Sequence, residues 1–585
     1  MSKQALKRPL ALAITGLLAM GSANAALVVN EQFEGTWWNP AQDGRGVLAD
    51  YIPVDDSHGT LFLAIFSFDN AGKPIWVTAQ VELSDREFKK TGVPVGLRDG
   101  GGFGNDFPPT TIAQVGTLDF TALSCSHIKI DFTPNGASNL PPVNLDLQPI
   151  GLVPAGCAYT EEFSACPAGT TAVAGQERTC ALPATISGNL HLPNSATYLI
   201  NGKVQVGTGR NIGAATLSIE PGTRLQGGGG AVDYLVVQPG SKIFANGTPT
   251  APVVFTGPSD VPGDWAGLVL AGNAVNNACV GNTPCAFEAD TDIQFGGKDS
   301  PQIGGNLIPD NADSSGALRY TQIRFAGKEI RPNEELNSLS LLGVGSGTVI
   351  DHVQAHAGKD DAFEMFGGTV NLRYVIGTAV EDDCLDFDQG YSGKIQYAYC
   401  NQQATAGTDS NGIESDNNRN AMDQLPRTRP TVSNVTLVGF ASGNEGVRIR
   451  RGSAGNYFNL VATGYPAECL NFNDAATFNA SGVAGNPSAS GLLTMRGSAL
   501  GCAMNFEDSA SDPFLISAWY TGQADNFSGA AAALGLNGRF PTPGSILLGT
   551  GVQVPNDAFF DTTDYKGAFG SEATDWARGW SFKVE

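Results

Sequence analysis

Short runs that alternate apolar and polar residues recur along the middle of the chain. The run Ile350-Asp-His-Val returns as Leu372-Arg-Tyr-Val and then as Ile395-Gln-Tyr-Ala, at intervals of 22 and 23 residues. Runs of the same type begin at Leu318, Val432 and Tyr457. A period of two predicts β-strands, and a strand motif that repeats at this interval predicts a solenoid whose coils stack on one another. We predict that the solenoid covers residues 184–520.

A second set of strands lies between these runs and alternates apolar with charged or amide residues. Its members align as Phe363-Glu-Met-Phe, Leu385-Asp-Phe-Asp, Ile413-Glu-Ser-Asp, Val447-Arg-Ile-Arg and Leu470-Asn-Phe-Asn. The same phase places Leu341-Leu-Gly-Val before this set and Met504-Asn-Phe-Glu after it. Because successive side chains of a strand point to opposite faces, we expect the apolar positions to fill the core and the others to form two outer columns.

The first part of the chain carries a hairpin pattern instead of the repeat. A strand over Leu61-Phe-Leu-Ala-Ile-Phe-Ser-Phe is followed by the turn Asp69-Asn-Ala-Gly-Lys and the returning strand Pro74-Ile-Trp-Val-Thr. Such a pattern is typical of antiparallel sheets. We therefore predict a small β module over residues 26–157, followed by a disulfide-stapled connector over residues 158–183.

The N-terminus and the cysteines both indicate export. A basic start precedes an apolar run that ends near Met20, and Ala23-Asn-Ala offers a cleavage site, so we interpret residues 1–25 as a signal peptide. No later segment is long and apolar enough to span a membrane. We expect a secreted protein, in the periplasm, at the cell surface or outside the cell, where disulfides form readily. Pairing in sequence order gives Cys125–Cys157, Cys166–Cys180, Cys279–Cys285, Cys384–Cys400 and Cys469–Cys502.

Charge and histidine content narrow the classes of function. The net charge is -23, whereas a nucleic-acid-binding protein needs a basic face to meet phosphates. The chain has only 5 histidines, which leaves little material for a histidine-built zinc site or a histidine-dependent triad. We therefore expect no nucleic-acid partner.

The repeat resembles the right-handed parallel β-helix of the pectate-lyase-like superfamily. The ending Asp564-Tyr-Lys-Gly-Ala-Phe-Gly with Asp575-Trp-Ala-Arg-Gly-Trp is similar to that of a broad group of secreted bacterial β-helix proteins whose activity is largely unassigned. The resemblance implies an all-β fold, a right-handed parallel β-helix solenoid with a small N-terminal antiparallel β domain. It implies no single reaction, because the fold carries lyases, hydrolases and adhesins. We expect residues 521–585 to cap the solenoid and the protein to be a monomer.

The N-terminal module also resembles a known type. Gly35-Thr-Trp-Trp-Asn-Pro with Asp43-Gly-Arg-Gly is similar to the opening of a β module found in many secreted bacterial proteins, which implies no chemistry. Trp37, Trp38 and Trp76 offer rings on which a sugar can stack, and the same rings can instead fill a small core.

The outer columns of the solenoid bring like charges together. Asp386 is expected over Glu414, and Asp388 over Asp416, at the ~4.8 Å spacing of neighbouring strands. Two such charges repel by ~3–4 kcal/mol at an effective dielectric constant of ~20, so the cluster needs a partner. Three partners are open: Ca2+, the adjacent arginines, or a proton shared between carboxyl groups.

Calcium-dependent polysaccharide lyases of this fold hold Ca2+ against a uronate carboxylate and use an arginine to abstract the C5 proton. This resemblance implies Ca2+ as a cofactor and an acidic polysaccharide or cell-surface glycan as the partner. The metal ligands that we predict are Glu364, Asp386, Asp388, Glu414 and Asp416. The predicted catalytic residues are Arg448 and Arg450, and the predicted substrate-binding residues are Asn471, Asn473, Trp37 and Trp38.

Two acidic pairs lie at the corners that precede the charged strands. Asp360-Asp361 and Asp382-Asp383 are 22 residues apart. Asp382 and Asp383 can add calcium ligands, or they can cap a turn as aspartate commonly does. We place neither pair among the predicted ligands.

Other interpretations of the columns stay open. Two of the carboxylates can serve as acid and base in glycoside hydrolysis. Without catalysis, the same face can bind a glycan as part of a surface or matrix adhesin. Without any ligand, Glu414 with Arg448 and Asp416 with Arg450 can form ion pairs on a solvated face. The sequence therefore leaves open whether the protein is an enzyme.

Overall fold

The computed structural model describes residues 28–584 except 101–109, 137, 152, 154–156, 231, 280–282, 300–306, 332–333, 404–406 and 483–490. The predicted signal peptide, residues 1–25, lies outside the described residues.

The described chain forms an antiparallel barrel followed by a parallel β-helix, which confirms the predicted fold class. All five disulfides predicted from sequence order are formed. Among the described residues, no helix is long and apolar enough to cross a membrane.

Eight antiparallel strands close into the N-terminal barrel. They are β1 Gly35–Trp38, β2 Gly46–Asp55, β3 His58–Phe68, β4 Pro74–Ser84, β5 Lys89–Gly100, β6 Thr110–Ser124, β7 His127–Pro134 and β8 Val143–Pro149. Alternate side chains such as Leu61, Leu63 and Ile65 fill the interior. Trp37 is 1% exposed and stacks on Phe33 of the short 3-10 helix Glu31–Phe33.

One face of the β-helix is a parallel sheet of eleven strands, which we call the groove sheet. Its strands are Thr185–Ile186, Lys203–Val206, Tyr234–Val237, Gly267–Ala271, Leu339–Leu342, Phe363–Phe366, Leu385–Asp388, Ile413–Ser415, Val447–Ile449, Glu468–Phe472 and Met504–Phe506. Its inward side chains, among them Phe363, Leu385, Ile413 and Val447, belong to one continuous apolar core. This packing of identical positions in successive coils stabilises the solenoid.

The other faces form a second sheet, which we call the bent sheet. Its early strands are short: Thr171–Ala172, Thr179–Ala181, Asn189–Leu192, Thr197–Ile200, Thr216–Ile219, Arg224–Gly227, Lys242–Asn246 and Val253–Thr256. From the middle of the chain two faces merge into long strands, which are Gly316–Arg324, Val349–His356, Asn371–Thr378, Lys394–Asn401, Thr431–Val438 and Gly455–Thr463. The last strands are Leu493–Arg496, Ala499–Gly501 and Phe527–Ser528.

Each long strand of the bent sheet turns a corner at one residue with positive φ. These residues are Tyr320, His352, Tyr374, Tyr397, Asn434 and Asn459. A left-handed conformation is costly for a tyrosine or histidine. Here it aligns four rings into a stack with centroid distances of 4.4, 4.4 and 4.8 Å, which offsets part of that cost.

The predicted register of the groove sheet is confirmed for the charged strands and wrong for the first and last strands of the predicted alignment. Glu364 pairs with Asp386, Asp386 with Glu414, and Glu414 with Arg448. At the first strand of the alignment, however, Leu339 lies opposite Phe363 where we predicted Leu341. At the last strand, Phe506 lies opposite Leu470 where we predicted Met504. A slip of two residues leaves every side chain on the same face, so alternation alone cannot detect it.

The C-terminal segment lies along the side of the coils. Trp576 and Trp580 pack against His352 of the ring stack, and Lys583 donates its backbone N–H to Asp56 of the barrel at 2.5 Å. The helix Ile516–Gly522 packs into the solenoid core, where its Trp519 and Tyr520 are fully buried. The other helices of the described residues are Ala475–Ser481, Ala531–Leu534 and the 3-10 helix Glu572–Thr574.

Short hairpins project from the coils. They are Cys285–Ala286 with Gln294–Phe295, Lys298–Asp299 with Leu307–Ile308, Glu329–Arg331 with Glu334–Glu335, and Leu536–Asn537 with Phe540–Pro541. The first three lie in the sequence stretch between two groove-sheet strands, Gly267–Ala271 and Leu339–Leu342. They therefore belong to long excursions from the repeat, of the kind that solenoids place on their outside.

A buried ion pair joins the barrel to the β-helix. Asp85, at the end of β4, accepts hydrogen bonds from Arg224 at 3.1 Å and from Arg324 at 2.7 Å. Both arginines belong to the bent sheet, and their side chains are 2% and 7% exposed. The barrel and the β-helix are therefore held together in part by buried ion pairs, in which the Asp85 carboxylate balances the arginine charges.

Candidate acidic groove

The outer side of the groove sheet is lined with carboxylates. A first cavity of 340 Å³ is lined by all five predicted metal ligands and by Arg450. A second cavity of 290 Å³ shares Glu288, Glu364, Asp386 and Arg419 with the first. The two cavities therefore form one depression, which we call the acidic groove. Its acidic lining is Glu288, Glu335, Asp360, Asp361, Glu364, Asp386, Asp388, Glu414 and Asp416.

The strands position these carboxylates by simple alternation. In Leu385–Asp388 the side chains of Leu385 and Phe387 point into the core, so Asp386 and Asp388 point outwards. The parallel pairing then sets Glu364, Asp386 and Glu414 side by side on three neighbouring coils. Sequence repetition alone therefore produces a row of like charges.

The corner aspartates that we left out of the prediction complete the cluster. Asp361 and Asp383 are 6% and 5% exposed, and each accepts a backbone N–H of the following coil. Three groups each bring three carboxylate oxygens within 4.8 Å of one another: Asp360, Asp361 and Asp382; Asp361, Glu364 and Asp386; and Asp383, Asp386 and Glu414. The signal for them in the sequence was the Asp-Asp pair that recurs after 22 residues.

Burial and mutual repulsion raise the pKa values of these groups. Burial, and next the Asp416 carboxylate, raise the pKa of Asp388 to about 7. Burial also raises the pKa of Glu414 to about 7, although Arg450 opposes it. The pKa of Asp386 is well above its ordinary value because of burial and the nearby Glu414. At neutral pH the cluster therefore either binds protons, which removes some of its charges, or needs a cation to compensate them.

Arginines compensate one side of the groove directly. Arg450 donates to Asp416 at 2.8 Å and also to Glu414. Arg448 lies 2.9 Å from Asp409 and 3.6 Å from Glu414. The predicted pairs Glu414–Arg448 and Asp416–Arg450 are therefore both formed.

The other side of the groove is compensated more weakly: Arg419 lines both cavities, and Arg450 and Arg451 act on Asp386 and Asp388 only through their charge. In the part of the chain that the structure describes, no ion pair joins Glu364, Asp386 or Asp388 to a basic residue. Within those same ranges, Oδ1 of Asp386 and Oδ1 of Asn337 have no hydrogen-bond partner. Asn337 is 3% exposed and lines the second cavity. Orphaned oxygens beside grouped carboxylates make an all-oxygen donor set, which is the kind that Ca2+ takes in proteins.

The predicted substrate-binding residues lie outside the lining of both cavities. Asn471 is 3% exposed and donates to Glu445 at 2.9 Å. Asn473 accepts from Arg448 at 3.4 Å. Trp37 is enclosed in the barrel core, where its ring N–H donates to the Phe33 carbonyl at 3.0 Å, so the core-filling alternative is confirmed for it. Trp38 is half-buried on β1 of the same barrel.

Among known protein families, one matches the β-helix of this chain. Residues 184–496, more than half of the chain, match the model of the pectate-lyase-like beta helix domain. No curated protein matches the chain, and no solved structure matches it. The family match covers the strands that carry the acidic groove.

Proposed function

Because the chain belongs to the pectate-lyase-like β-helix family, we propose that its acidic groove binds an acidic polysaccharide through Ca2+ and cleaves it by elimination. The family supports a polysaccharide-related function. The observation that carries the finer proposal is the weakly compensated row Glu364, Asp386 and Asp388, whose pKa values are raised and which no basic side chain of the described residues pairs.

The excess of negative charge argues for a cation. An acidic polymer is repelled by an acidic groove unless a cation lies between them. Asp361, Glu364, Asp383, Asp386 and Glu414 are the residues that would hold it, because their oxygens lie within 4.8 Å of one another in two overlapping groups. A bound Ca2+ supplies a ligand position for the uronate carboxylate and draws electron density from C5.

The arginines take different parts in this proposal. Burial alone would lower the pKa of Arg450, but Glu414 and Asp416 raise it above its ordinary value. Arg450 therefore keeps its proton and orients the two carboxylates. Arg448, on the strand Val447–Ile449 and 3.6 Å from Glu414, is the residue that we assign to C5, although it lies outside the lining of both cavities. Acting as a base in its neutral form, Arg448 takes the C5 proton, the C5–H electron pair forms the double bond between C4 and C5, and the C4–O bond breaks while the leaving oxygen takes a proton from water.

The test is elimination on defined polyuronates. The mature chain is incubated with polygalacturonate and with alginate, in Ca2+ or in EDTA, while ultraviolet absorbance follows the unsaturated product. We expect product only with Ca2+, and a loss of about 100-fold or more in Asp386→Asn. Asp50→Asn, an exposed carboxylate on the barrel strand β2, is the matched control and keeps full rate.

Two other outcomes have distinct signatures. Glycoside hydrolysis has specific support, since the carboxyl groups of Asp388 and Glu414 titrate near 7 and suit general acid catalysis. It would release new reducing ends without unsaturated product. Retention of the polymer with neither product would instead identify a binding protein, as expected for an adhesin.

A further inference from the structure

The outer wall of the barrel carries a second groove, which we call the barrel groove. Its volume is 510 Å³, larger than either cavity of the acidic groove. The lining side chains come from four neighbouring strands, β3 to β6. Its position on the barrel separates it from the coils that carry the carboxylates.

Small residues form the floor of the barrel groove. Thr78 of β4 lies opposite Gly96 of β5, and both line the groove. Ala64 of β3 lies opposite Thr78, so the small positions continue beyond the lining. A Cβ at Gly96 would stand 3.0 Å from the Ile112 side chain, so the glycine keeps this part of the floor open. The depression therefore crosses the strands. Four strands at ~4.8 Å spacing give it a length of roughly 14 Å, suited to an oligosaccharide rather than a single sugar.

Larger residues on either side of this floor form the walls. One wall consists of Trp76 on β4, Arg98 on β5 and Ile112 on β6. Arg98 and Ile112 lie opposite each other in the sheet. Phe62 lies opposite Gln80 on the other side. Trp76 is 48% exposed and lies opposite Phe66, which is 47% exposed, so two aromatic rings form a contiguous exposed patch of the kind that marks binding sites.

The composition of the walls identifies the chemistry of the occupant. Aromatic faces pack against the C–H faces of sugar rings, while the amides of Gln80 and Gln114 can bind hydroxyl groups. The charged residues of the lining are Glu82 and Arg98, which balance each other. The barrel groove is therefore nearly neutral, in contrast to the acidic groove, and gives no reason for an acidic polymer to prefer it.

We propose that the barrel groove is a second polysaccharide-binding site, which holds an uncharged glycan by stacking sugar rings on Trp76. The occupant follows from three observations: the exposed indole, the amides beside it, and the polysaccharide-related function of the family. The inference needs neither Ca2+ nor cleavage at the acidic groove. It gives the barrel the role of anchoring the protein on a neutral polymer while the β-helix engages an acidic one.

Affinity electrophoresis of the full mature chain tests this site. Native gels contain hydroxyethyl cellulose, soluble xylan or galactomannan, all without Ca2+. We expect at least one polymer to retard the protein, and Trp76→Ala to lower that affinity about tenfold or more. Trp76→Phe retains most of the retardation because a ring remains. Val54→Ala, at a position of β2 that is 67% exposed and outside the groove lining, migrates as the wild type.

The controls separate this proposal from the previous one. Asp386→Asn still binds the neutral polymer, and Trp76→Ala still acts on polyuronates. Melting temperatures establish that each variant is folded; should Trp76→Ala unfold, the exposed Gln80→Ala replaces it with the same expectation. The barrel groove proposal is overturned if no polymer of the panel retards the wild type, or if the folded groove variants migrate as it does. A partner of another class, such as a protein, would give that result.

Discussion

Two aspartates of this chain are buried to a similar degree and have opposite electrostatics. Asp85, between the barrel and the β-helix, loses solvation on burial, but Arg224 and Arg324 lower its pKa well below the ordinary value. Asp386, in the acidic groove, is also buried, and Glu414 and Asp416 raise its pKa well above that value. Burial alone therefore does not tell a structural carboxylate from a functional one. The charge of the neighbours does, because an uncompensated buried charge is retained only where something else meets it.

The same contrast runs through the acidic groove itself. Asp416 forms ion pairs with Arg450 and Arg451. Asp388, on the neighbouring strand, forms no ion pair within the described ranges, and Arg451 acts on it only through its charge. The compensated side resembles the Asp85 junction, and the other side is the one at which we propose a bound cation. Substituting single carboxylates on each side measures this difference.

The largest effect is expected at the junction. Asp85→Asn leaves two buried guanidinium groups without their counter-charge and should lower the free energy of unfolding by about 3–5 kcal/mol. Urea unfolding measures it. The control is Asp260→Asn, since Asp260 forms a partly exposed ion pair with Arg86 and should cost less than about 1 kcal/mol. Equal effects of the two variants would contradict the structural role of Asp85.

The same substitution in the acidic groove should have the opposite sign. Asp386→Asn removes a charge that its neighbours repel, so in EDTA at pH 7.5 it should raise the free energy of unfolding by about 1–2 kcal/mol. Thermal unfolding measures it, with Asp50→Asn expected within about 0.5 kcal/mol of the wild type. Destabilisation by Asp386→Asn without Ca2+ would show that this carboxylate is compensated after all.

A smaller effect is expected from pH. The folded-state pKa values of Asp388 and Glu414 are raised to about 7, so the folded protein binds more protons than the unfolded chain between roughly pH 4 and 7. Their stabilising contribution is complete below that range and is lost as pH rises through about 7. In EDTA the melting temperature should therefore fall from pH 5.5 to pH 8.

Two comparisons identify the groups behind that fall. The double variant Asp388→Asn with Glu414→Gln should have a flatter profile over the same range, because it lacks both titrating groups. Asp85, whose pKa is lowered, contributes above its unfolded value of roughly 3.9 and loses its contribution only in stronger acid. A wild-type profile that is flat between pH 5.5 and 8 would argue against raised pKa values in the acidic groove.

The fold and the centre of the groove could be predicted because the solenoid turns sequence distance into contact. Glu364 and Asp386 are 22 residues apart in the chain and adjacent in the groove sheet, as the interval of the repeat requires. The register failed at Leu341 and Met504 because a shift by two residues preserves the alternation of faces. Asp361 and Asp383 were left out of the predicted ligands because they precede the strands, and alternation predicts the direction of a side chain only within a strand.

Contacts outside the repeat left no trace that a single sequence could reveal. Asp85 and Arg224 are 139 residues apart with no periodic relation. The sequence also did not tell the tryptophans of the barrel strands apart, because Trp37 is enclosed and Trp76 is exposed. The side chains on either side of Trp76 in its strand, Ile75 and Val77, are more buried than Trp76, so alternation does place its ring outside once the strand is known.

Calcium titration of the mature chain, followed by calorimetry at pH 7.5, tests the central claim most directly. We predict heat of binding and a rise in melting temperature, with about 2.7 kcal/mol of added stability when free Ca2+ reaches 100 times its dissociation constant. Asp386→Asn should lose both signals, and Asp50→Asn should keep them. An unchanged melting temperature in Ca2+ and in EDTA, with no heat of binding, would contradict the account of the acidic groove as a cation site.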